Sequence, residues 1–194
     1  MTSSDDTALP TDAKARAAAR VGSSLDPVVL SPGEAPGVRV GFACAEFNGG
    51  ITDRLLTAAL DELAAAGCDL DGAVVVWAAG AFELPLVARA LAASGRVDAV
   101  VALGAVIRGD TGHYDFVAGE CARGLQRVQL DTGLPVVFGV LTTDTVDQAQ
   151  VRSLPDATNK GAESARTALG AVAVLRGVEG LASGSRVGFT VGGR

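Results

Sequence analysis

Cationic charge is in deficit: 16 Lys and Arg stand against 22 Asp and Glu, a net charge of −6. No basic stretch offsets that deficit, which argues against a nucleic-acid or anionic-membrane surface. Cysteine is rare. Cys44, Cys68 and Cys121 are odd in number and show no CxxC spacing, so neither a disulfide framework nor a thiolate metal site is expected. They read as buried thiols of a reducing compartment, and the expected location is the cytoplasm. No apolar run approaches a membrane span in length. The N-terminal residues lack the apolar centre of a signal peptide. Neither GxGxxG nor GxxxxGKS/T occurs, which weighs against a generic nucleotide-binding domain. Aromatics make up only 4% of the chain, and there is a single histidine, His113.

What is present is globular: 48% hydrophobic and 20% charged residues in a chain of 194, enough for one domain with tails. Residues 1–37 read as a flexible N-terminal extension. Within it, Asp26 to Leu30 reads as a short β-like piece expected to add to a sheet edge, its own or a neighbour's. The domain proper runs over 38–177, and 178–194 form a C-terminal tail. Strands are expected at Val38–Cys44, Ala73–Ala78, Asp98–Gly104 and Pro135–Thr142. Helices are expected at Ile51–Ala66, Phe82–Ser94, His113–Asp131, Asp144–Arg152 and Lys160–Arg176. In the first helix, Ile51, Leu55, Leu56, Ala59, Leu60 and Leu63 form one stripe, and Gly67 ends it. Strands alternating with helices imply an α/β fold: a three-layer α-β-α sandwich around a small, four-stranded parallel, flavodoxin-like sheet. The N-terminal edge strand would extend that sheet.

The central stretch is Val97 to Asp115. An apolar run from Asp98 to Gly104 reads as a strand buried on both faces. Gly104 to Gly112 reads as a turn of low bulk with free backbone N–H groups, and a helix opens at about His113. Such a strand–turn–helix junction is an anion site, because amides and helix dipole point the same way. Arg108 and Thr111 add a cation and a hydroxyl, and His113 is a titratable imidazole at the lip. Each feature alone has an ordinary reading as a tight turn or a surface residue. Their coincidence within six residues points to a site. Ligands of such sheets bind at the carboxyl ends of the strands. There the chain carries Glu46, Phe47 and Asn48, then Gly80, Ala81, Phe82 and Glu83, and Thr142 to Thr145 after the fourth strand. An aromatic face with a carboxylate acceptor suits a flat heterocycle bearing N–H donors. Arg152 and Lys160 read, by themselves, as solvated surface cations.

These residues carry a family resemblance. Phe47-Asn48, Gly80-Ala-Phe-Glu-Leu-Pro85, Gly104-Ala-Val-Ile-Arg-Gly-Asp-Thr-Gly-His-Tyr-Asp115, Pro135-Val-Val-Phe-Gly-Val-Leu-Thr-Thr143, Gln148-Ala149, Arg152 and Asn159-Lys-Gly161 resemble lumazine synthase, in order, over about 38–176. The resemblance implies a transferase of riboflavin biosynthesis. It would condense 5-amino-6-(D-ribitylamino)uracil with 3,4-dihydroxy-2-butanone 4-phosphate to 6,7-dimethyl-8-ribityllumazine, releasing phosphate and water. No metal or organic cofactor is implied. By the same resemblance His113 transfers protons. Phe47 stacks on the pyrimidine, and Ala81, Phe82 and Glu83 hold it. Ala105, Val106 and Ile107 line the pocket, Asp110 and Thr111 belong to the phosphate loop, and Arg152 closes over the phosphate. Asn48, Arg108 and Lys160 are additional candidates. Phe138 and Arg152 would come from a neighbouring subunit of a pentamer.

The short loop Arg152 to Lys160 lacks glycine and carries Pro155, which leaves a sixty-chain icosahedral capsid open. Riboflavin synthase is a further candidate partner. The alternative is a catalytically weak shell-forming or lumazine- or flavin-binding protein on the same scaffold. Three departures from the family pattern stand out: Glu46 where a cation is frequent, Ala78-Ala79 in place of Val-Pro, and a carboxylate, Asp110, in the phosphate loop.

Overall fold

The computed structural model describes residues 37–68 and 70–182. Residues 37–172 fall in one compact unit and 173–182, the last stretch of the final helix, in a second. The expected edge strand at 26–30 and most of the N-terminal extension lie outside the described residues, as does the tail beyond 182.

Four strands, β1 (Val40–Ala45), β2 (Val74–Ala78), β3 (Ala99–Ile107) and β4 (Val136–Thr143), form one sheet in the order β2-β1-β3-β4. Every neighbouring pair is parallel. Five helices connect and cover them: α1 (Gly49–Ala65), α2 (Leu84–Ala93), α3 (His113–Thr132), α4 (Val146–Val151) and α5 (Lys160–Ala182). The α/β, flavodoxin-like reading is thus borne out.

The layers follow from which side chains each strand turns to which face. Phe42, Val101 and Leu103 pack with Leu55 and Leu63 of α1 and with Ala165 and Leu169 of α5. On the opposite face Ala43, Val100 and Ala102 pack with Leu84 and Leu91 of α2 and with Cys121 and Leu125 of α3. All of β3 but Ile107 is buried, as its unbroken apolar run requires of a central strand. Close approach in the first layer depends on Gly161, where a Cβ would overlap the Leu55 backbone and lie 2.7 Å from Leu55 Cα. Asn159, buried at the start of α5, accepts the Gly161 N–H and donates to the Leu154 carbonyl, both at 2.8 Å. The Asn-Lys-Gly triplet is therefore a packing and capping device.

Three boundaries differ from expectation, and the first two shape the site. Strand β3 continues through Ile107, so Gly104 to Ile107 are strand, not turn. They pair with β4 as far as Ile107 opposite Thr143. Gly104 is small for a packing reason: a Cβ there would come within 3.0 Å of the Ala45 Cβ. Ahead of α2, Ala81–Glu83 form a 3-10 turn, and the helix begins at Leu84 with Pro85 in its first turn, where proline is preorganised. At the other end α5 runs on to Ala182, past the expected stop at Arg176.

Candidate active site

The carboxyl ends of β1, β2 and β3 open into a cavity of about 780 Å³. Three local structures build it. After β1 the ladder persists briefly, with the Glu46 and Phe47 amides donating to the Ala78 and Ala79 carbonyls at 2.8 and 3.1 Å. Asn48 then takes a left-handed conformation (φ 61°) and starts α1. This sharp exit leaves Phe47 at the rim, 72% exposed despite its size. After β2, the Gly80 turn and the 3-10 turn present Ala81, Phe82 and Glu83 to the same cavity, with Phe82 57% exposed. The extended end of β3 supplies Ala105, Val106 and Ile107 as the third wall.

The floor between β3 and α3 is the loop 109–112. Thr111 and His113 line the cavity, and the His113 N–H, first in its helix, donates weakly to Thr111 Oγ1 at 3.4 Å. Among the described residues, the backbone amides of Gly109, Asp110 and Thr111 donate to no other backbone carbonyl. Together with the opening turn of α3 they present an edge of N–H donors of the kind that suits an anion. An apolar slot with two loose aromatic faces therefore meets a set of amides beside one imidazole. That arrangement suits a flat heterocycle next to a phosphate-bearing partner.

Other expected residues lie elsewhere. Asp110 is exposed in the loop and does not line the cavity. Asn48 does not line it either, and its side-chain amide donates to the Ala105 carbonyl at 2.9 Å, a structural tie. Arg108 is engaged by Asp144 at 3.0 Å and Asp115 at 3.3 Å, and these carboxylates raise its pKa further, the Asp144 hydrogen bond most. Its guanidinium does not line the cavity. Phe138 is partly exposed on β4, an edge strand. Arg152 is exposed at the end of α4, where it donates to the Gln148 carbonyl at 2.9 Å. Lys160 begins α5 and pairs with Glu163. None of these last three reaches the cavity within one chain. A second concavity of about 440 Å³, bordered by Arg54, Glu62, Ser153 and Arg166, contains none of the expected residues.

The cavity also uses Tyr114, Phe116 and Val117, which the reading of the sequence did not single out. The signal was available, since Phe116 and Val117 stand three and four residues after His113 and share its helix face. The three cysteines are buried and none is in a disulfide. Burial pushes the Cys44 and Cys121 thiols up to about 12, so they offer neither nucleophile nor metal ligand near neutral pH. Among the described residues, no helix is long and apolar enough to cross a membrane.

A flavodoxin-like parallel sheet with an aromatic-rimmed cavity and an amide-rich loop at its carboxyl edge defines a small-molecule-binding α/β protein. The comparisons with known proteins narrow that class. The sequence pattern of the 6,7-dimethyl-8-ribityllumazine synthase family matches residues 37–176. A curated protein of that description from Edwardsiella ictaluri (strain 93-146) is 55% identical over 146 residues, covering 75% of this chain and 94% of its own. Another from Yersinia pestis (strain Pestoides F) is 49% identical over the same length and coverage. The chain belongs to the 6,7-dimethyl-8-ribityllumazine synthase family.

Proposed function

We propose that this chain forms 6,7-dimethyl-8-ribityllumazine from 5-amino-6-(D-ribitylamino)uracil and 3,4-dihydroxy-2-butanone 4-phosphate, releasing phosphate and water. The observation that carries the reading is one cavity in which Phe47, Phe82 and Glu83 face the loop 109–112 and His113. Phe47 stacks on the pyrimidine, while Phe82 and Glu83 hold its edge. The butanone phosphate lies toward the loop, where the amides of residues 109–111 stabilise the phosphate as it leaves.

His113 moves protons while the amine adds to the ketone and water departs, work suited to an imidazole near neutral pH. Much of the acceleration comes from holding two small reactants in contact, because amine–ketone condensation proceeds readily once they meet.

The same reading places the phosphate cation on a neighbour. Arg152 and Phe138 lie away from the cavity of their own chain, and the two aromatics at its rim are left uncovered. A pentamer in which Arg152 and Phe138 of one chain complete the cavity of the next satisfies both observations. Such pentamers could assemble further, to sixty chains. Riboflavin synthase, which consumes a lumazine, is the fitting partner, and the cytoplasm the fitting location. The catalytically weak alternative is not favoured, because the imidazole and the open amides stand together at the cavity.

The test is to supply the full chain with both substrates and follow lumazine absorbance alongside phosphate. One phosphate per lumazine is expected. Phosphate release without lumazine, or no reaction, would overturn the reading.

A further inference from the structure

Arg108 follows the last residue of β3, where its N–H donates to the Thr143 carbonyl at 2.9 Å and continues the ladder to β4. Its guanidinium is fixed on three sides. Nε donates to Asp144 at 3.0 Å, and Nη1 donates to Asp115 at 3.3 Å. The guanidinium carbon lies 4.0 Å from the centroid of the Tyr114 ring, a cation–π geometry. Asp144 sits beyond the end of β4, and Asp115 is in the first turn of α3. Tyr114 lines the cavity beside His113. One planar side chain thus ties two strand ends to the opening turn of the helix that carries the imidazole.

The charge balance decides what this cluster can do. One guanidinium between two carboxylates leaves a net negative group, which an approaching phosphate dianion would find repulsive. Two of its five N–H donors, on separate nitrogens, already serve separate carboxylates and fix the plane of the guanidinium. A lysine would keep the charge but lose the fork and the flat stacking surface.

We propose that Arg108 is a positioning residue and not a phosphate ligand: it clamps Tyr114 and the first turn of α3 to the sheet, and so fixes the wall on which His113 stands. Its kinetic readout rests on the proposed condensation, while its structural readout does not. Tyr114 is the only tyrosine of the chain. The full-length protein grown on 3-fluorotyrosine therefore gives one fluorine resonance, which reports the ring under the guanidinium.

Two variants separate the roles. Arg108→Lys keeps a cation, and Asp144→Asn keeps Arg108 but removes one arm of the clamp. In both, the Tyr114 resonance is expected to move and kcat to fall about tenfold, with KM for the butanone phosphate nearly unchanged. A phosphate-binding Arg108 predicts the reverse: Arg108→Lys would keep its kcat, and Asp144→Asn, freeing the cation, would lower that KM. Either of those results, or an unmoved resonance, overturns the proposal. A wild-type chain that makes no lumazine overturns the proposed condensation instead, and the resonance then decides the clamp alone.

Discussion

Asn48 and Ala105 are joined behind one wall residue of the cavity: the Asn48 side-chain amide donates to the carbonyl of Ala105, which lines it, at 2.9 Å. Asn48 is also the only non-glycine residue with positive φ among the described residues. Asparagine tolerates that conformation better than other L residues, and its side chain here fastens the entry of α1 to the end of β3. Asn48→Ala loses both, at roughly 1 kcal/mol for the hydrogen bond and roughly 1 for the left-handed backbone. Asn48→Gly loses only the bond. Urea unfolding at fixed chain concentration should therefore rank wild type above Gly and Gly above Ala. Equal loss in the two variants would show that the backbone conformation contributes nothing.

Much of this architecture is legible in the sequence, for identifiable reasons. The parallel sheet announces itself through apolar runs such as 99–106, which are buried on both faces. Phe47, Phe82 and His113 follow from their position after strand ends. Gly104 misleads, because a glycine that permits strand packing against Ala45 looks, in one dimension, like a glycine that turns the chain. Arg108 misleads similarly: its sequence neighbours suggest a free cation, whereas one of its two carboxylates, Asp144, comes from another strand end. Phe138 and Arg152 could not be assigned from periodicity at all, since both are exposed side chains that line no part of the cavity of their own chain.

His113 carries the clearest chemical prediction. Exposed at the first position of α3, it supports little of the core, so His113→Ala should leave folding and assembly intact. Turnover should fall about ten- to a thousandfold, with substrate affinity largely retained. Steady-state lumazine formation measures this, and full activity in the variant would remove His113 from the mechanism.

The buried thiols set an alkaline limit on stability. Cys44 and Cys121 are pushed by burial to about 12 from a usual value of 9.0. Between those values the unfolded chain releases thiol protons that the folded chain keeps. The stability they contribute is therefore whole below pH 9 and is lost as pH rises toward 12. Unfolding midpoints should fall over that range, and less steeply in a Cys44→Ala/Cys121→Ala variant. At pH 8 an aromatic disulfide reagent should leave both thiols unmodified until denaturant is added. Rapid modification of the native chain would contradict their burial.

The central claim is that one chain's cavity is completed by Arg152 of the next, and mixing two inactive variants tests it most directly. His113→Ala and Arg152→Ala chains are each expected to be poor enzymes as homo-oligomers. Co-refolded in equal amounts, with random mixing confirmed by mass spectrometry, they form rings containing both. A site is intact wherever a chain keeping His113 meets a neighbour keeping Arg152. In a closed ring each condition holds at half the positions, so about a quarter of wild-type activity should return. Activity that stays at the average of the two variants would contradict the shared site and put both residues in service of a single chain.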